Sequence, residues 1–114
     1  MKKLIAVMAM VALSALVLVA CAPTSQLNET NTLVARRAIE ATDRYLDGGS
    51  LDSARSAVER ERGNVDDSDE KSFSLDSRLL ILQTALTASA LQENVTSVRE
   101  ARNGVAELAG IKDR

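Results

Sequence analysis

The chain has 114 residues, which allow one domain at most, and 46% hydrophobic with 26% charged residues is the composition of a globular protein. It contains no histidine and a single cysteine, so histidine-based catalysis, His- or Cys-rich metal sites and an intramolecular disulfide are excluded. The formal net charge of −2 gives the chain no electrostatic reason to bind nucleic acid.

The first twenty residues have the pattern of a secretory signal peptide. Met1, Lys2 and Lys3 form a cationic start, and the seventeen residues from Leu4 to Ala20 are apolar except for Ser14. Seventeen apolar residues are also close to the shortest length that spans a membrane, about 17–25 residues. An uncleaved membrane anchor is therefore the alternative to a signal peptide.

The end of this segment, Leu18-Val19-Ala20-Cys21, resembles the lipobox of bacterial lipoproteins. The resemblance implies cleavage between Ala20 and Cys21, a diacylglycerol on the thiol of Cys21, and a fatty acid such as palmitate on the new amino terminus. One acyl chain binds a membrane only marginally, whereas two or three hold a protein durably. In a Gram-negative cell, Ala22 in place of the aspartate that retains lipoproteins at the inner membrane favours the periplasmic face of the outer membrane.

Three segments follow from this assignment: a signal peptide (1–20), a lipidated tether (21–28) and a helical domain (29–114). Removing twenty of the 114 residues leaves 94, and losing Lys2 and Lys3 changes the net charge from −2 to −4. Four of the eight tether residues are polar, and the segment would reach about 26–29 Å if extended. The tether is therefore expected to keep the domain close to its membrane.

Beyond the tether, apolar residues recur at spacings of three and four, which predicts an all-α fold of four helices. They would form a small four-helix bundle or two stacked helical hairpins. The first helix is predicted over Glu29–Asp47, with Asn28 as its N-cap and Gly48-Gly49 at its end. The second is predicted over Leu51–Arg62, with Ser50 as its N-cap.

The third and fourth predicted helices span Leu75–Glu93 and Val98–Ala109. Leu79–Leu82 makes the third helix apolar on all sides, which predicts a position in the middle of the core. Three later side chains are expected to point inward as well: Leu86, Ala88 and Leu91. Ser97 and Glu100 have the spacing of a capping box at the start of the fourth helix.

An offset of 47 residues aligns the first two predicted helices with the last two, pairing Leu33-Val34 with Leu80-Ile81. Either a duplicated hairpin or the general similarity of Ala- and Leu-rich helices explains the match. The first hairpin resembles a tetratricopeptide hairpin at Ala41, Tyr45, Gly49, Leu51, Ala54 and Val58. It lacks that motif's early tryptophan and closing proline, and 47 differs from the 34-residue repeat. Close helix packing at alanine is the interpretation we prefer.

The strongest charge feature is the cluster from Asp66 to Glu70, with four carboxylates in five residues. Calcium is a possible ligand, but the glycine and glutamate positions of an EF-hand are missing, so a solvated loop is favoured. Phe73 is either a partner contact or, as we favour, a side chain packed on the third helix, and Tyr45 is assigned to the core. Acids elsewhere alternate with arginines, so no catalytic, cofactor-binding or metal-binding residue is predicted.

The sequence therefore predicts a non-catalytic lipoprotein of the cell envelope, with no cofactor and no small-molecule substrate. Its partners would be the membrane, through the lipid on Cys21, and another protein or a second copy of itself. An alanine-rich core with few aromatics leaves a small domain marginally stable, and binding a partner adds stability. A pilotin-like chaperone or a structural component of the envelope is the alternative.

Overall fold

A computed structural model describes residues 24–92 and 95–114, and within these residues all regular secondary structure is helical. The four helices are α1 (Glu29–Leu46), α2 (Leu51–Arg62), α3 (Ser72–Gln92) and α4 (Thr96–Ala109). The all-α prediction with four helices is confirmed. The predicted signal peptide and the lipobox, including Ala20 and Cys21, lie outside the described residues.

The helices pack as two hairpins, α1–α2 and α3–α4, which stack through contacts between α2 and α3 and between α1 and α4. Apolar side chains from all four helices meet in one core. Its largest fully buried apolar members are Val58, Leu75, Leu79, Leu82, Leu86, Val98 and Val105. None of the described helices is both long enough and apolar enough to cross a membrane.

Local sequence signals fix the ends of α1 and α2. The side chains of Asn28 and Ser50 accept hydrogen bonds from the third residue beyond them, as predicted for N-caps. After α1 the backbone N–H groups of Gly48 and Gly49 donate to carbonyls of the last turn, and Gly48 has a φ of 102°. This is a Schellman arrangement, in which a left-handed glycine closes the helix.

The predicted starts of α3 and α4 were wrong by two or three residues. Helix α3 begins at Ser72 rather than Leu75, and α4 begins at Thr96 rather than Val98. Val95 occupies the N-cap position of α4 and makes no side-chain cap hydrogen bond, so the predicted Ser97–Glu100 capping box does not start this helix. The capping-box spacing is a short pattern that also occurs inside helices, where the backbone donors are already satisfied.

Residues 24–28, which we assigned to the tether, lie against the folded domain. The backbone N–H of Gln26 donates to the carbonyl of Leu108 at 2.8 Å, and Leu27 is buried in the core. The Oγ of Ser25 lies 2.7 Å from Oγ1 of Thr32. The chain therefore enters the domain where α1 begins and α4 ends.

A buried ion pair joins α1 to α4. The Arg102 side chain is only 7% exposed, and its Nε and Nη2 donate to the two carboxylate oxygens of Asp43 at 3.0 and 3.1 Å. Its Nη1 donates to the carbonyl of Lys112 at 2.7 Å. Arg114 also pairs with Asp43 and Asp47, and the Asp47 carboxylate raises the pKa of Arg114. These contacts hold the last residues along α1 and α4.

Candidate functional site

Helix α3 carries two apolar faces, of which only one is buried. Leu75, Leu79, Leu82 and Leu86 follow one another at spacings of four, three and four, and all face the core. Ile81, Thr84, Ala88 and Leu91 follow a second series at spacings of three, four and three, and all are exposed. At about 100° per residue the two series lie on nearly opposite sides of the helix.

The prediction that α3 lies in the middle of the core was therefore wrong for half of its surface. Ile81 is 59% exposed and Leu91 is 85% exposed, while Ala88 also faces outward. The other three helices cover only one side of α3, because α2 and α4 are its main neighbours. The second side remains apolar and uncovered in the described part of the chain.

This uncovered face forms one wall of a groove between α3 and α4, with a volume of about 750 Å³. Leu80 and Ile81 contribute the large apolar side chains of the groove. Its remaining apolar lining consists of small residues: Ala85, Ala88, Ala101 and Gly104. Apart from its chain neighbours and the backbone of α4, a Cβ atom added at Gly104 would meet no atom within 4 Å, so α4 leaves open space there.

A smaller depression of about 370 Å³ adjoins the groove along α3 and shares Leu80, Thr84 and Ala88 with it. It reaches Leu91, close to the end of α3. Together, the two form an apolar surface about three to four helical turns long, at 5.4 Å per turn.

Charged groups stand at the edge of this groove. At one end, Nη1 of Arg78 donates to the carbonyl of Gly104 at 2.6 Å and to Oε2 of Glu107 at 3.2 Å. Glu100 also lines the groove, one turn of α4 from Gly104, and it has no ion-pair partner among the described residues. The edge that α4 contributes is therefore acidic, with one carboxylate free to pair.

No protein-family model, curated protein or solved structure matches this chain. The groove is thus the feature from which a function has to be inferred.

The acidic cluster is bound to the start of α1 and is not simply a solvated loop. The carboxylate of Asp69 accepts hydrogen bonds from the backbone N–H of Asn28 at 2.8 Å and from Nδ2 of Asn31 at 3.1 Å. Asp66 accepts from Nδ2 of Asn28 at 3.0 Å and donates its backbone N–H to Oδ1 of the fully buried Asn31 at 2.7 Å. Two of the four carboxylates, those of Asp66 and Asp69, thus hold the start of α1 through hydrogen bonds.

These hydrogen bonds stabilise the charged forms of both aspartates. The backbone N–H of Ser68 is the largest cause that lowers the pKa of Asp66, and the backbone N–H of Asn28 is the largest cause that lowers the pKa of Asp69. Among the described residues, no group of three or more metal-binding side chains is suitable for holding a metal ion. The hydrogen bonds of Asp66 and Asp69 to Asn28 and Asn31 give the cluster a structural role in the fold.

The two large aromatic side chains have different environments. Tyr45 packs against the core, as predicted, and its hydroxyl lies 3.0 Å from Oγ of Ser89. Phe73 is 81% exposed in the first turn of α3, so the prediction that it packs on that helix was wrong. Helix α3 begins before Phe73, and the helical backbone at this position directs the ring away from the core.

Proposed function

We propose that this protein is a non-catalytic lipoprotein of the bacterial cell envelope whose helical domain binds another protein. The lipobox at Cys21 supports the membrane anchor, and Ala22 favours the outer membrane, as argued from the sequence. The observation that carries the binding function is the apolar groove between α3 and α4. A small domain that leaves such a surface uncovered gains stability when a partner covers it.

The anchor is tested by the variant Cys21→Ser. We expect it to carry no fatty acid and to retain residues 1–20, because the thiol is the acyl acceptor and cleavage follows acylation in this pathway. Mass spectrometry of the N-terminal peptide and membrane fractionation would measure both. A wild-type chain that carried no fatty acid and kept Met1 to Ala20 would make this protein a single-span membrane protein instead.

The binding function is tested in intact cells with a photo-crosslinking amino acid at Ile81. Arg37 provides the matched control, because it is exposed on α1, away from the groove. We expect an adduct of one defined mass from Ile81 and none of that mass from Arg37. Equal labelling from both positions would contradict a binding role for the groove, whereas an adduct with an outer-membrane secretin would identify the pilotin-like alternative.

A further inference from the structure

We propose that the groove between α3 and α4 receives one amphipathic α-helix of a partner protein, with a lysine or arginine of that helix beside Glu100. This inference rests on the proposed binding function and names the class of partner. Three observations carry it: the spacing of the exposed apolar residues, the small side chains of the groove, and the charge of its edge.

The spacing favours a helix as the occupant. Ile81, Thr84, Ala88 and Leu91 repeat at three, four and three residues, which is the spacing by which one helix packs along another. On its opposite side, α3 packs in the core with the same kind of spacing. A helix of about 13 residues would cover the distance from Arg78 to Leu91 at 1.5 Å per residue.

The small residues of the groove allow the close approach that helix packing needs. Ala85 and Ala88 on α3 face Ala101 and Gly104 on α4, and open space lies above Gly104. Glycine inside a helix costs about 0.8–1.0 kcal/mol relative to alanine. A close backbone approach by an incoming helix is the physical advantage that offsets this cost at Gly104.

The charge of the edge selects among possible occupants. Glu107 is already paired with Arg78, while Glu100 has no ion-pair partner among the described residues. Two copies of this chain docked by the same groove would add a second acidic edge to the first, and like charges disfavour that arrangement. Anionic lipid headgroups are disfavoured for the same reason. A helix with a basic residue next to its apolar face is complementary.

The test uses the full-length lipoprotein in phosphatidylcholine nanodiscs, with empty nanodiscs as the background. The probes are two fluorescent helical peptides that carry leucines at spacings of three and four; one has lysines beside the leucines and the other has glutamates. Binding is measured by anisotropy. We expect the lysine peptide to bind the protein more tightly than the glutamate peptide does.

Two pairs of matched variants locate the binding. Ile81→Glu should weaken the binding of the lysine peptide about tenfold or more, because it places a charge in the apolar lining of the groove. Leu33→Glu makes the same change at an exposed apolar residue of α1 and should have no effect. Glu100→Lys should weaken the binding of the lysine peptide roughly two- to fivefold and strengthen that of the glutamate peptide. Glu40→Lys on α1 should change neither affinity. Circular dichroism would confirm that each variant keeps its helical content.

The outcomes separate this inference from the proposed function. Equal loss of binding with Leu33→Glu and Ile81→Glu would overturn the groove as the site for a helix. If the wild type dimerises and Ile81→Glu abolishes the dimer, the occupant of the groove is a second copy of this chain and not another protein. Absence of peptide binding together with a specific crosslink from Ile81 in cells would refute a helix as the occupant of the groove. The proposed binding function would then stand.

Discussion

Gly104 inside α4 and Gly110 just beyond its end provide opposite predictions for the same substitution, glycine to alanine. Gly104 has helical backbone angles and open space where a Cβ would be placed, whereas Gly110 has a φ of 67°. At Gly110 an added Cβ would lie 2.4 Å from the carbonyl carbon of Thr24 and 2.6 Å from the backbone nitrogen of Ser25. Alanine is therefore compatible with the first position and incompatible with the second.

The magnitudes follow from these environments. Gly104→Ala should raise the free energy of unfolding by about 0.5–1 kcal/mol, since alanine is the better helix former and nothing has to move. Gly110→Ala should lower it by about 2 kcal/mol or more. The left-handed conformation alone costs about 1–2 kcal/mol. Displacing Thr24 and Ser25 would also weaken or break the hydrogen bond from the backbone N–H of Gln26 to the carbonyl of Leu108. Such a bond contributes about 0.5–1.5 kcal/mol to stability.

Urea unfolding of the chain that lacks residues 1–21, followed by far-UV circular dichroism, would measure both effects. In thermal unfolding Gly104→Ala should raise Tm by about 2–8 °C, given about 4–8 °C per kcal/mol for a domain of this size. A destabilising Gly104→Ala would refute the open space in the groove. A neutral Gly110→Ala would refute the packing of Thr24 and Ser25 against the end of α4.

Four further substitutions test the polar contacts, the core and the exposed face of α3. Arg102→Met should lower the free energy of unfolding by about 1.5–3 kcal/mol, because Asp43 loses the hydrogen bonds of its buried partner and keeps only Arg114, and a urea titration would show this. Asp69→Asn should lower the urea midpoint at pH 7, and its difference from wild type should shrink below about pH 4. The reason is that a carboxylate with a lowered pKa stabilises the fold above its ordinary pKa and loses this effect as it is protonated. Leu86→Ala should cost about 2–5 kcal/mol, whereas Leu91→Ala on the exposed face should change stability by less than about 0.5 kcal/mol in the same assay.

The number of helices and the ends of α1 and α2 were predictable because they depend on neighbouring residues. Asn28 and Ser50 cap helices through atoms three positions away, and Gly48 closes α1 within one turn. The place of α3 in the bundle was not predictable in the same way. Large apolar residues stand on both sides of α3, and the number and position of the other helices decide which side is covered.

The contacts of the charged residues also could not be predicted from local sequence patterns. Asp69 binds Asn28 across 41 positions of sequence, and Arg102 binds Asp43 across 59. A run of acids has the same composition whether it is solvated or hydrogen-bonded, so the Asp66–Glu70 cluster indicated a loop but not its attachment to α1. The groove had one local signal that could have revealed it, namely a glycine inside an otherwise regular helix at position 104.

The first turn of α1 cannot open on its own. Helix ends usually fray, and their amide protons then exchange with solvent through small local fluctuations. At this end the chain before α1 is bonded to the end of α4, and the N-cap is bonded to residues between α2 and α3. Opening the turn therefore requires breaking its bonds to the end of α4 and to the segment between α2 and α3. The amide protons of residues 31–34 are expected to exchange at the slow rate of global unfolding, which makes the beginning of the domain one of its most persistent parts.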